Sequence, residues 1–186
     1  MFSSLVLYAE SLTRLLPVQT FQVLGHEIVI SVSKNYLLGT LTFLHHHSNG
    51  NFQMLTSISG VDYPEREERF EIVYDLLSVR LNSRIRVKTH TDEINPLPSI
   101  VGLFPSANWW EREIWDLFGV FFSNHPDLRR ILTDYGFEGH PLRKDFPLSG
   151  FIEMRYNETK KRVVSESIEL SQEYRTFKFL SPWENA

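Results

Sequence analysis

Residues 70–90 read FEIVYDLLSVRLNSRIRVKTH, and the fold can be worked out from this stretch. In its first half Phe70, Ile72, Tyr74 and Leu76 alternate with Glu71, Val73 and Asp75. In its second half Arg84, Arg86, Lys88 and His90 share one face, and Ile85 and Val87 the other. A period of two marks a half-buried strand, because successive side chains of extended chain point to opposite faces. Two such strands over a short connection predict an antiparallel or mixed sheet. Upstream, FQMLTSISGVDY (52–63) predicts another strand with Phe52, Met54, Thr56 and Ile58 on one face, set apart by Pro64 and the charged run EREER. FQVLGHEIVISV (21–32) predicts a hairpin that turns near Gly25.

Two segments have helical spacing instead. Residues 1–18 place Leu5, Tyr8, Leu12, Leu15 and Leu16 on one side, with Glu10 and Arg14 at i and i+4 on another, and Pro17 ends the helix. The first basic residue is Arg14, so this is expected to be an amphipathic helix of the mature protein and neither a secretory nor a transit segment. Residues 35–47 carry Leu37, Leu38, Leu41 and Leu44 in phase, closed by Ser48-Asn49-Gly50. The expected class is α+β: about four to five strands with helices on one face, then an extended Gly/Pro/aromatic-rich C-terminal arm. The expected division is a core domain over 1–119, including a Trp-rich helix over 107–119, and a loop and docking arm over 120–186. In that arm Phe151, Tyr156, Tyr174, Phe177, Phe179 and Trp183 lack the spacing of one buried face, so they are expected to anchor on other chains.

Composition narrows the function. The 19 Lys and Arg against 23 Asp and Glu leave a net charge of −4, without the basic block of a dedicated nucleic-acid binder. No apolar run approaches the roughly 18 residues of a membrane span. There is no cysteine, so these 186 residues cannot supply a disulfide, a thiolate ligand for zinc or an iron–sulfur cluster, or a cysteine nucleophile. His45-His46-His47 invite a metal reading, but consecutive helical residues point about 100° apart and cannot converge on one ion. A solvated helix end is the better expectation for them.

Residues 107–119, ANWWEREIWDLFG, hold three of the four tryptophans. Trp110, Ile114 and Leu117, with Phe118 beside them, form a stripe toward the sheet, which leaves Trp109 for another face. Glu113 and Asp116 lie three apart, and Arg112 could pair with Asp116 at i+4, so structural carboxylates are expected rather than an acid/base pair. A hydrolase built on Glu113, Asp116 and His125 would need a concave site. Surplus aromatics beside charge instead suggest an interface. The arginines of 129–143 find no Gly-rich phosphate cradle near them, and no GxSxG elbow is present.

The block Glu111-Arg112-Glu113-Ile114-Trp115-Asp116-Leu117-Phe118-Gly119, then His125 and Arg129-Arg130-Ile131-Leu132, resembles the signature of the thirty-kilodalton subunit family of respiratory complex I. The resemblance runs on through Thr133-Asp134-Tyr135-Gly136-Phe137-Glu138-Gly139-His140-Pro141-Leu142-Arg143-Lys144-Asp145-Phe146-Pro147, and the tail looks most like mitochondrially encoded members. It implies a cofactor-free subunit of the hydrophilic arm of proton-translocating NADH:ubiquinone oxidoreductase, peripheral on the matrix side of the mitochondrial inner membrane. FMN and iron–sulfur clusters are expected in partner subunits. The implied neighbours are the forty-nine-kilodalton quinone-site subunit and the iron–sulfur subunits, and no catalytic, cofactor-binding or metal residue is expected in this chain. The interface residues it implies are Glu111, Arg112, Glu113, Asp116, Phe118, Gly119, His125, Arg129, Arg130, Gly139, His140, Pro141, Arg143, Lys144 and Asp145. The alternative reading of the same resemblance is the related subunit of a photosynthetic-type NDH complex or a membrane-bound hydrogenase, against which the mitochondrial-type tail argues.

Overall fold

The computed structural model describes residues 2–170 and, beyond them, 172, 175 and 177. Tyr174, Phe179 and Trp183, expected as anchors, lie outside the described residues. In chain order the elements are α1 (Phe2–Leu15), β1 (Val18–Leu24), β2 (Glu27–Val32), α2 (Leu37–His46), β3 (Met54–Asp62), β4 (Phe70–Ser78), β5 (Ser83–Thr91), β6 (Leu97–Pro98), α3 (Ala107–Phe118), β7 (Phe122–Ser123), β8 (Ile152–Asn157) and β9 (Arg162–Ser167). The chain divides into two compact units after Phe146, so residues 120–146 belong with the sheet and helices rather than with the segment that follows.

Five strands form one sheet in the order β1-β2-β5-β4-β3. Only β2–β5 is parallel and the other pairs are antiparallel, so the sheet is mixed. The β1–β2 turn falls at Gly25, whose φ of +60° suits a residue without Cβ. The alternation in β4 and β5 is realised: Phe70, Ile72, Tyr74, Leu76, Ile85 and Val87 are buried in one cluster with Ile28, Ile30 and Val32 of β2. That cluster also takes Ala9 and Leu12 of α1, Leu37, Leu41 and Leu44 of α2, and Ile114 and Phe118 of α3. All three helices therefore contribute to one core.

The opposite face is ionic. Glu71 accepts from Lys88 Nζ at 2.8 Å and from His90 Nε2 at 3.0 Å, and Asp75 accepts from Arg86 Nε at 2.7 Å. These are directly opposed or diagonal neighbours on β4 and β5, so the register that buries the apolar residues also pairs the charges.

Two local expectations are corrected. In β3 a bulge between Leu55 and Ser57 changes the parity of the strand. Leu55 before it and Ile58 after it are buried, Met54 is 49% exposed and Thr56 is exposed, while Phe52 is buried ahead of the strand. At the end of α2 only His46 is exposed, and His45 and His47 are half-buried. His45 meets Phe104 edge-on with ring centres 5.2 Å apart, and His47 stacks on Phe43 at 4.6 Å. Burying an imidazole against aromatic rings competes well with hydration when the ring is neutral.

In the second unit β8 and β9 pair as an antiparallel ribbon from Ile152↔Ser167 to Asn157↔Arg162, tied by Arg155 Nη2 donating to Glu166 Oε1 at 3.1 Å. Ile152, Met154, Tyr156 and Val163 are all more than half exposed. A two-stranded ribbon has no second layer to cover such residues.

Ile72→Ala, at the centre of β4, should cost about 2–5 kcal/mol of folding free energy. The measurement is the shift in urea midpoint at unchanged slope.

Candidate functional site

Helix α3 ends at Gly119, which adopts φ +79° and donates its N–H to Trp115 O at 3.0 Å. A helix end leaves further carbonyls without partners. The block 140–143 takes them in order. His140 Nδ1–H donates to Asp116 O at 2.9 Å, Leu142 N–H to Leu117 O at 3.1 Å, and Arg143 Nε–H to Phe118 O at 2.6 Å. The approach is close: a Cβ on Gly119 would lie 2.5 Å from Arg143 Nη2 and 2.7 Å from the His140 ring. Pro141 lies within this cap, and Phe118 packs edge-on against Phe70 with centres 6.4 Å apart. Burial lowers the pKa of His140, and the hydrogen bond to Asp116 O only partly opposes it.

On the buried side of the helix, Asp116 is fully enclosed. Its Oδ2 accepts three consecutive backbone N–H groups, from Ile131 (3.2 Å), Leu132 (2.8 Å) and Thr133 (2.9 Å). Its Oδ1 accepts the Thr133 hydroxyl at 2.7 Å, with Arg130 Nε at 3.8 Å. Burial alone would raise its pKa, but the donors from Thr133, Leu132 and Ile131 outweigh it and hold the carboxyl below its ordinary value. The expected Arg112–Asp116 pair is therefore corrected. Arg112 lies over the Trp109 ring at 5.0 Å and donates from Nε to Arg129 O at 3.2 Å, because backbone amides already fill the Asp116 carboxylate.

Arg130 clamps the same loop by donating to Phe137 O and, at 3.2 Å, to Gly139 O. Gly139, at φ +96°, lets the Phe146 ring approach to where a Cβ would be 2.9 Å away. Further along, Lys144 N–H donates to Asp62 Oδ2 at 2.8 Å, and Asp145 Oδ2 accepts from Arg69 Nη1 at 3.1 Å. Arg69 forks onto Asp62 at 2.6 and 2.8 Å and reaches Glu93 at 3.0 Å, and Glu93 also meets Arg143 Nη1 at 3.2 Å. The Arg69 guanidinium holds the Asp62 carboxyl below the usual range against the opposing effect of burial.

Asp62, Arg69 and Glu93 were missed from sequence, where EREER read only as a separator. A signal existed. Asp62 stands in phase with inward-facing Ile58, and an acid at an inward position requires a cation or hydrogen-bond donors.

Glu111 and His125 come together deeper. Both side chains are fully enclosed, with Nε2 3.7 Å from Glu111 Oε2. Glu111 accepts from Ile100 N–H at 2.7 Å and from Ser99 Oγ at 2.6 Å, and burial pushes its pKa up to about 7. The Glu113 side chain has no hydrogen bond among the described residues, and Arg129 pairs at the surface with Asp127 at 2.8 Å. Glu113, Asp116 and His125 thus do not form an open acid/base site, since the latter two are enclosed and already bonded. Trp109 (65% exposed), Leu132 (62%), Tyr135 (102%) and Leu142 (51%) rim the surface instead.

Fold and site together define a class: an α+β subunit whose recognisable block clasps its own helix and turns aromatic side chains outward. The chain belongs to the respiratory-chain NADH dehydrogenase 30 Kd subunit family, whose model matches residues 30–152. It is 60% identical over 158 residues to NADH-ubiquinone oxidoreductase subunit 9 of Reclinomonas americana, covering 85% of this chain and 78% of that one. It is 65% identical over 150 residues to NADH dehydrogenase [ubiquinone] iron-sulfur protein 3 of Solanum tuberosum, covering 81% and 79%. A chain of the membrane-bound sulfane sulfur reductase, an archaeal respiratory membrane complex, shares the fold, with TM-score 0.68 at 24% identity over 93% of this chain and 99% of that one.

Two outcomes test the clasp. Gly119→Ala combines a left-handed backbone with the Arg143 and His140 contacts and should cost more than about 1 kcal/mol in chemical denaturation. Asp116 and Asp62 are depressed in the folded state, so the stability they confer is present above the unfolded carboxylate pKa and is lost as pH falls through their folded values. Asp116→Asn should therefore lose about 1.5–3 kcal/mol near neutral pH and show a flatter acid limb than wild type. Urea midpoints taken across the acid range check both.

Proposed function

We propose that this chain is a cofactor-free assembly subunit of the hydrophilic arm of complex I. In this reading it lies peripherally on the matrix side of the mitochondrial inner membrane, against the forty-nine-kilodalton quinone-site subunit and the iron–sulfur subunits. One observation carries the reading: five polar residues of the signature block bond to their own chain. Asp116, His140, Arg143, Arg130 and Asp145 all hold the clasp, and the outward-facing side chains include Trp109, Leu132, Tyr135 and Leu142 beside exposed Arg129. Exposed aromatics beside arginine are the composition of a protein–protein contact. The exposed β8–β9 ribbon supplies a second apolar surface of the same kind. The absence of cysteine from the 186 residues supports electron transfer through clusters and FMN held by other chains. No described helix is long and apolar enough to cross a membrane.

The purified chain should bind no FMN and oxidise no NADH, assayed spectrophotometrically. In the assembled enzyme, replacing both Trp109 and Tyr135 by Ala should change the folding free energy of the chain by no more than about 0.5 kcal/mol. It should nevertheless reduce the amount of the quinone-site subunit retained with the chain on native gels. Full retention would overturn the proposed contact surface.

A further inference from the structure

Beneath the turn that follows β6 the structure encloses a carboxyl group without a counter-ion. Glu111 is fully buried on the inner side of α3, and its two oxygens accept from Ile100 N–H and the Ser99 hydroxyl. Among the described residues no lysine or arginine pairs with it, since the adjacent Arg112 reaches Arg129 O and Trp109. Two titratable groups come near from other elements. His125 is enclosed with Nε2 3.7 Å away, but its Nδ1 accepts from Asp127 N–H at 3.1 Å and its Nε2 donates to Asn108 O at 3.3 Å. Both ring nitrogens are thus engaged elsewhere, and neither hydrogen-bonds Glu111. From β4, the Tyr74 hydroxyl is buried with no hydrogen-bond partner, and burial and then the Glu111 charge hold it protonated.

Ser99 is the way out. It is only half-buried, and it lines an open groove of about 650 Å³ bounded by Leu38 and Thr42 of α2, Val101 and Leu103 of the turn, and Asn124 and Pro126 on either side of His125. Its Oγ accepts from Val101 N–H at 3.3 Å while donating inward to Glu111.

We propose that Glu111, Ser99 and this groove form a proton-exchange site, in which the buried carboxyl takes up and releases one proton through the Ser99 hydroxyl. The step balances. A hydronium ion or buffer acid in the groove gives a proton to Ser99 Oγ as the existing Ser99 proton passes to Glu111 Oε2. The carboxylate becomes a neutral carboxylic acid, and the groove acid becomes its conjugate base. The Glu111–Ser99 hydrogen bond then runs the other way, with Oε2–H donating, and the serine hydroxyl turns its proton to the groove. The groove wall therefore gains a donor when the site is loaded. Desolvation without a compensating cation brings the exchange into the physiological range, consistent with the pKa of about 7.

The test is carbon-13 NMR of the full chain labelled at glutamate Cδ, titrated from about pH 5 to about pH 9. One resonance should titrate with a midpoint of about 7, and Glu111→Gln should remove it. Ser99→Ala deletes a donor to the charged form, so the midpoint should rise by about one unit, and exchange between the two forms should slow. Ser99→Thr, which keeps the hydroxyl, should restore both. If Glu111→Gln does not fold, the wild type and the two Ser99 variants decide. The site is overturned if no glutamate titrates above about pH 6. The relay is overturned if midpoint and exchange are the same in Ser99→Ala as in wild type. Neither result depends on the contacts with other subunits.

Discussion

A carboxylate with no access to water must find its donors within the chain, and this requirement organises the first unit. Asp116 and Asp62 are both enclosed, on α3 and at the end of β3. An uncompensated ion in such surroundings costs several kcal/mol. The two are satisfied in different ways. Asp62 has the Arg69 fork, a charge pair made by neighbouring strands. Asp116 has three successive amides and a hydroxyl from residues 131–133, so a segment with little periodic structure must bend around one point. The irregular backbone of 120–146 thus follows from a single charge as much as from its glycines and prolines.

The same segment solves a second problem. Helices end with carbonyls that face nowhere useful, and α3 ends against the sheet, where water is scarce. His140, Leu142 and Arg143 satisfy those carbonyls in sequence, and cationic Arg143 stands at the negative end of the helix dipole. Lys144 and Asp145 then return the chain to Asp62 and Arg69. Loop, helix and sheet edge are closed into one network.

The sheet was legible because β4 and β5 have strict alternation, with apolar and charged faces separated residue by residue. The first two helices were legible from their leucine spacing, although Leu15 and Leu38, expected in phase with the buried leucines, are exposed, and the exposure of Trp109 followed from its place off the stripe. Three features were not legible. The bulge in β3 shifts the face by one residue, and period-two reasoning has no means of seeing an unpaired residue. The true partners of Asp116 are backbone amides 15–17 positions away, which carry no side-chain signature. Glu111 was expected only as an interface residue, yet it lies inside, where Ser99 and Ile100 meet it from a turn. Family resemblance marked the block, and physical chemistry was needed to say what each residue in it holds.

The one parallel pairing within the five-stranded sheet, β2 with β5, carries a consequence for how the molecule comes into being. β1–β2 and β3–β4–β5 are each built from sequence neighbours and can zip locally. The ladder that joins them spans about fifty intervening residues. Closing so long a loop costs entropy before any contact rewards it. The topology therefore favours a sheet made in two pieces that join last between β2 and β5. During synthesis the first hairpin must wait for β5 to emerge, with the apolar edge of β2 unprotected in the interval. Nascent-chain handling, rather than final stability, is where this architecture is most exposed to failure.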